Sequence, residues 1–145
     1  MTDVGSQALI FGGALSAVAS LAHLACIAIG ARAYRFMGAG ERMARAVEAG
    51  EVRPTLITLA ISSMLLVWAI YAFSGAGIAP ALPLTKVALA LISAIYLTRA
   101  FAFPLLKLVF PENSTTFWLV SSGICLVLGL LYAVGFIQLW GKDAA

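Results

Sequence analysis

The chain has 145 residues, 63% of them hydrophobic and only 10% charged, with a mean hydropathy of +1.04. A soluble domain carries roughly 25% charged residues, and no single core of this size buries so much apolar surface, so a soluble globular fold is excluded and lipid must solvate most of the exterior. The formal net charge of +3, nine Lys/Arg against six Asp/Glu, is too small to dress a nucleic-acid interface.

A membrane-spanning helix needs about 20 apolar residues at about 1.5 Å rise each. Met1 to Ser6 holds Asp3 and no basic residue, unlike the positive start of a cleavable signal. The first apolar run is therefore expected to be a retained span, Gln7 to Gly30, free of Asp, Glu, Lys and Arg. Between Ala31 and Pro54 the composition turns polar, with Arg32, Arg35, Glu41, Arg42, Arg45, Glu48, Glu51 and Arg53 in one connection. Within it Glu41 to Val52 has helical composition, with Glu41 and Arg45 one turn apart and Met43, Ala44 and Val47 on one side. A short interfacial amphipathic helix is expected there, with Phe36 and Met37 dipping into the headgroups, Arg42, Arg45 and Arg53 meeting anionic lipid, and Gly38, Gly40 and Gly50 as flexible corners. A solvated connector that only sets topology is the alternative.

Thr55 to Ile78 is expected as the second span, leaving through Gly75, Gly77, Pro80 and Pro83 without a charge. Leu84 to Phe103 is the third, interrupted by Arg99 and closed by Pro104. A short connection with Lys107, Pro111, Glu112 and Asn113 leads to the fourth, Thr115 to Trp140, and Lys142 and Asp143 follow. The expected fold is thus all-α: one domain over residues 1–145, an integral membrane four-helix bundle. Five Arg in the first loop, with Arg99 and Lys107, face Lys86 and Lys142 on the opposite side. The positive-inside rule then puts both termini outside a bacterial cytoplasmic (inner) membrane. Trp68, Tyr71, Tyr132 and Trp140 are expected at the outer aromatic belt, Tyr34 and Trp118 at the inner one. Cys26 and Cys125 sit in apolar runs and read as packing residues.

Only His23 and Arg99 bring ionisable groups to membrane depth, both toward the inner leaflet. With Ser20 and Tyr96 they compose a candidate pocket for an anionic or amphipathic ligand. The bland readings are a snorkelling Arg99 and a packing His23 bonded to a neighbouring helix. Gly13, Ser16, Ser20 and His23 share one helix face, as do Thr55, Thr58 and Ser62, then Ser93, Tyr96 and Arg99, then Ser122, Cys125, Gly129 and Ala133. Such stripes serve close helix packing first. No span holds the acidic residue that proton-coupled cation export normally uses, and His23, the sole histidine, cannot supply both axial ligands of a haem. No catalytic set, metal-ligand cluster, phosphate loop or cofactor motif is legible.

The segments Tyr34-Arg35-Phe36-Met37-Gly38-Ala39-Gly40-Glu41-Arg42-Met43-Ala44 and Tyr71-Ala72-Phe73-Ser74-Gly75-Ala76-Gly77 resemble small uncharacterised four-span bacterial inner-membrane proteins. That resemblance covers most of the chain and implies a setting but no activity. Glu41-Arg42-Met43-Ala44-Arg45-Ala46 is similar to the Glu-Arg-x-x-Arg-Ala stretch of the membrane-associated eicosanoid and glutathione metabolism family, also four-span proteins. The likeness implies that Glu41, Arg42 and Arg45 would line a glutathione site. The family's next Asn and Glu, however, fall at Ala49 and Val52, and Gly50 and Pro54 interrupt its continuous helix. The expected role is a small accessory or ligand- and lipid-binding membrane subunit rather than a self-contained enzyme. Its partners would be membrane lipids and either a second copy or a larger membrane protein. A lipid-phase transferase using the basic loop and a small channel or transporter are the alternatives.

Overall fold

The computed structural model describes residues 3–144, with side chains over 3–142. Met1 and the side chain of Asp143, both named above, lie outside that range. All regular structure in it is helical: α1 (Val4–Ile29), α2 (Ala31–Phe36), α3 (Glu41–Glu48), α4 (Arg53–Gly75), α5 (Thr85–Phe101), α6 (Phe103–Val109) and α7 (Thr115–Ala144). By length and composition α1, α4 and α7 can each cross a membrane, and α5 with α6 makes a fourth candidate if the pair, bent by 64°, is one span.

The helix ends follow from local chemistry. α1 starts three residues before the expected Gln7 because the Asp3 carboxylate accepts the Ser6 N–H (2.7 Å) and caps the first turn. α4 starts with Pro54 in its first turn, where the missing N–H costs no helical bond. Pro104 is the clearest correction. It does not close the third span into a loop; α5 ends at Phe101, and Pro104 sits in the first turn of a new helix, α6.

α1 packs along α4 and α7, and α5 packs along α7 and, less extensively, α4. Their shared core is Leu9, Leu65, Ala72, Leu89, Ile92, Tyr96, Leu128 and Tyr132. Glycine sets the closest approach: a Cβ on Gly135 would stand 2.2 Å from Leu9 Cγ, so only a hydrogen leaves α1 and α7 room.

Several small polar residues of the helix faces hold helices together. Ser20 and Ser62 each donate to the other's backbone carbonyl (2.9 and 3.0 Å), zipping α1 to α4. Ser93 donates to the Gly129 carbonyl (2.8 Å), joining α5 to α7. At the centre Ser16 Oγ lies 2.9 Å from the Tyr96 hydroxyl and 3.0 Å from that of Tyr132, which donates to the Trp68 carbonyl (3.0 Å). A carbonyl only accepts, so the protons run one way, from Tyr96 to Ser16 to Tyr132 to Trp68. This relay ties α5, α1, α7 and α4 together, and it explains why Tyr132, 0% exposed, is a core residue and not part of an outer belt. Tyr34 is likewise buried, its hydroxyl 2.9 Å from Thr58 Oγ1, which itself donates to the Pro54 carbonyl (2.8 Å).

The polar connection folds as two helices, not one. α1 breaks at Gly30, α2 adds six residues, and α3 then packs Ala44, Met43 and Val47 onto Cys26, Ala33 and Tyr34. The apolar side of the expected interfacial helix is therefore covered by the chain itself, as is Met37, while Phe36 stays 81% exposed; α3 ends at Glu48 instead of Val52. Gly38, φ +74°, turns the chain between α2 and α3, and a Cβ there would meet the Phe117 ring at 2.1 Å. The expected flexible corner is a fixed turn seated on α7.

Candidate functional site

Arg99 occupies the last turn of α5, three residues before the break at Ala102. Its guanidinium turns along α7, where Nη2 donates to Ser121 Oγ (3.0 Å) and the planar group lies 5.2 Å from the centre of the Trp118 ring. Trp118, expected at an inner belt, is only 2% exposed, between the rings of Phe110 and Phe117. Three buried side-chain polar atoms in the described residues lack a hydrogen-bond partner: Arg99 Nη1, Trp118 Nε1 and Ser122 Oγ. All three belong to this patch, since Ser122 is one helical turn from Trp118 and Arg99 lies over Trp118.

The other residues of the expected pocket serve different partners. Ser20 is taken by Ser62, and Tyr96 by Ser16 and an edge-on contact with Trp68 (ring centres 5.0 Å apart). His23 Nδ1 lies 2.7 Å from the Ala19 carbonyl, so Nδ1 carries the proton and this bond stays within α1. None of these bonds joins His23 to Arg99. Two cavities, of about 300 and 350 Å³, lie elsewhere. One is at the Asp3–Lys142 end against Gly75 and Gln138, the other among Ile27, Tyr34, Val47, Glu51 and Thr55. Ser121, Ser122 and Trp118 were the partners that the sequence did not single out as a group around Arg99. Their spacing on α7, one turn from Trp118 to Ser122, was the available signal.

The basic connection is organised around Arg35. Its guanidinium holds both Glu41 oxygens (2.9 and 2.8 Å) and reaches Glu48 (2.7 Å), clasping α2 to α3. Hydrogen bonding from Arg35 pulls the Glu41 carboxyl down to about 2, with a smaller contribution from Arg45, and the same pair of carboxylates raises Arg35 well above the usual range. Arg45 shares Glu41 at 3.3 Å. Arg42 and Arg53 are exposed and make no ion pair among the described residues. Gly50, φ +74°, separates α3 from α4, so Glu41, Arg42 and Arg45 stand on a helix that does not continue into a span.

The third connection completes this end. Glu112 accepts the Glu41 N–H (2.8 Å) and Asn113 donates to the Gly38 carbonyl (3.0 Å), so α3 and the start of α7 are joined. Beside them α6 buries none of its residues; Leu105, Leu108 and Val109 stand exposed next to Lys107, which donates to Thr115 Oγ1 (2.6 Å). Among the described residues no three His, Cys, Asp or Glu side chains group as metal ligands, and Cys26 and Cys125 are free thiols. The chain matches no protein-family model, no curated protein and no solved structure at a significant level.

Proposed function

We propose that the chain is a four-span protein of a bacterial cytoplasmic membrane, both termini outside, that acts as a small lipid-binding accessory subunit and not as a catalyst. α5 and α6 form the last inward crossing: α5 traverses the hydrocarbon and α6 turns into the plane of the inner interface. The observation that carries this reading is α6. A helix with no buried residue, an open Leu105–Leu108–Val109 face and a lysine at its side has the makeup of an interfacial helix. It lies at the end of the molecule where Arg32, Arg42 and Arg53 are exposed, and each such cation near an anionic leaflet contributes about 1 kcal/mol. The flanks of α1, α4, α5 and α7 meanwhile expose Phe11, Val18, Leu66, Leu91 and Ile124, the surface that hydrocarbon accepts and water rejects.

The test has two arms on a chain with Cys26→Ser and Cys125→Ser. A membrane-impermeant maleimide should reach Ala81→Cys from outside intact cells and Glu51→Cys only after lysis. In reconstituted vesicles a spin label at Leu108→Cys should report interfacial depth, deeper when phosphatidylglycerol is added to phosphatidylcholine. Labelling of Glu51→Cys from outside would overturn the topology, and a water-exposed label at Leu108 would overturn the role given to α6.

A further inference from the structure

We propose that the elbow between α5 and α6 holds the headgroup of one anionic lipid, with its phosphodiester seated at Arg99, Trp118 and Ser122. The proposal rests on reading this end of the molecule as the one facing the anionic leaflet, and it names a single built site there, apart from the diffuse attraction of the exposed arginines.

Charge balance is the first argument. A cation at membrane depth needs an opposite charge or water, and among the described residues Arg99 has neither a carboxylate partner nor full exposure. No Asp or Glu occurs in α1, α4 or α5, or in α7 through Lys142. Glu112, the acidic residue of the third connection, accepts the Glu41 N–H and makes no ion pair with Arg99 among the described residues. Ser121 accepts one hydrogen bond from the guanidinium and the Trp118 face takes part of its charge, but neither carries a negative charge of its own.

Donor chemistry is the second. The three buried atoms without partners are a guanidinium nitrogen and an indole nitrogen, which only donate, and a hydroxyl, which can donate. Trp118 and Ser122 are 2% and 7% exposed, so water does not relieve them. A cluster of donors lacking acceptors calls for an oxygen-rich anion, and a phosphodiester presents two charged oxygens to such a set. A buried water would quiet the dipoles, whereas a phosphodiester does so and also brings the opposite charge.

The surroundings select an amphiphile over a free ion. Leu105 and Leu108 beyond the bend are exposed and apolar, a surface for acyl chains on the element that follows the charged end. Arg99 is itself half-buried, so the headgroup reaches the patch from the lipid side by drawing the guanidinium off the Trp118 face.

Trp118 is therefore the reporter. In a full-length chain with Trp68→Phe and Trp140→Phe, lipids brominated on their acyl chains are titrated in detergent micelles and Trp118 quenching is read. Brominated phosphatidylglycerol should quench saturably, with an apparent affinity about tenfold above that of brominated phosphatidylcholine, as expected for a hydrogen-bonded charge partner. Arg99→Gln should remove the preference, Arg99→Lys should keep part of it, and Ser122→Ala, close to isosteric, should weaken it about threefold. Arg42→Ala with Arg53→Ala should leave it unchanged, which separates this site from the surface attraction of the basic end. Equal quenching by the two lipids, or a preference that survives Arg99→Gln, would overturn the proposal. Prevention of quenching by inorganic phosphate would assign the site to a free anion and overturn the lipid.

Discussion

Replacing Ser16 with Ala removes one oxygen and breaks the one relay that touches all four long helices. Tyr96 loses its only acceptor in the relay and Tyr132 loses its incoming donor, while the Tyr132 bond to the Trp68 carbonyl survives. A buried donor left without a partner costs about 1–3 kcal/mol, whereas interhelical bonds in a membrane average about 0.6 kcal/mol when deleted, because neighbours re-pair. Water does not replace the lost oxygen here, because Ser16 and Tyr132 are both 0% exposed and Tyr96 only 5%. The expected loss for Ser16→Ala is accordingly about 2 kcal/mol, near the middle of the range for stranded groups. Adding Tyr96→Phe removes the stranded hydroxyl, so the double variant should recover about 1 kcal/mol relative to Ser16→Ala alone. Reversible unfolding in mixed micelles of increasing sodium dodecyl sulfate content, followed by circular dichroism, measures both. A Ser16→Ala cost below about 0.5 kcal/mol, with the two substitutions simply additive, would refute the one-way relay.

Gly135→Ala should lower stability by about 1–3 kcal/mol, since its Cβ would run into Leu9 in a filled core. Gly123→Ala, with nothing within 4 Å, should stay within about 0.5 kcal/mol in the same unfolding assay. Glu41 has a folded-state value of about 2 against an ordinary 4.5, so its contribution to the α2–α3 clasp is complete above 4.5 and is lost as pH falls through 2. A carboxyl carbon-13 titration should find its midpoint near the lower value, and Arg35→Ala should raise it; an unshifted midpoint in the parent chain would rule the clasp out. Gly38→Ala combines a left-handed backbone with a clash against the Phe117 ring. It should free α3 from α7, seen as faster amide exchange at Glu41, whose N–H is held by Glu112; exchange as slow as in the parent would contradict that account.

Helix positions were largely legible because hydropathy is a local property. Runs of apolar residues, the capping Asp3 and the prolines mark ends to within a few residues. They do so even where the meaning of a mark was misread, as at Pro104, which opens α6. Which face of each helix turns inward is different in kind. Tyr132 and Trp118 have the composition of belt residues and are core, while the apolar side of α3 has the composition of a lipid-facing helix and is covered by α1 and α2. In a chain apolar all round, no polar side tells a helix which way to face, so rotation is decided by glycine contacts and hydroxyl pairs between distant segments. Ser16 meets Tyr96 and Tyr132, 80 and 116 residues away, and no spacing within one helix announces that meeting.

The 10% charge of the chain, and its concentration in one connection, determined by themselves that most of the exterior must suit lipid and that one end must be basic, because moving a charge into hydrocarbon costs more than any local packing returns. Only the tertiary structure decided where Arg99 goes. In sequence it is a lone cation near a helix end, equally able to snorkel or to line a pocket with His23. In the fold the break at Ala102 ends α5 and the packing of α5 along α7 puts Trp118 and Ser121 beside it, so its charge is held between helices with one nitrogen still unpartnered. A donor's need for an acceptor is physical chemistry any sequence reader can state, but which donors share that need is settled by where the helices lie.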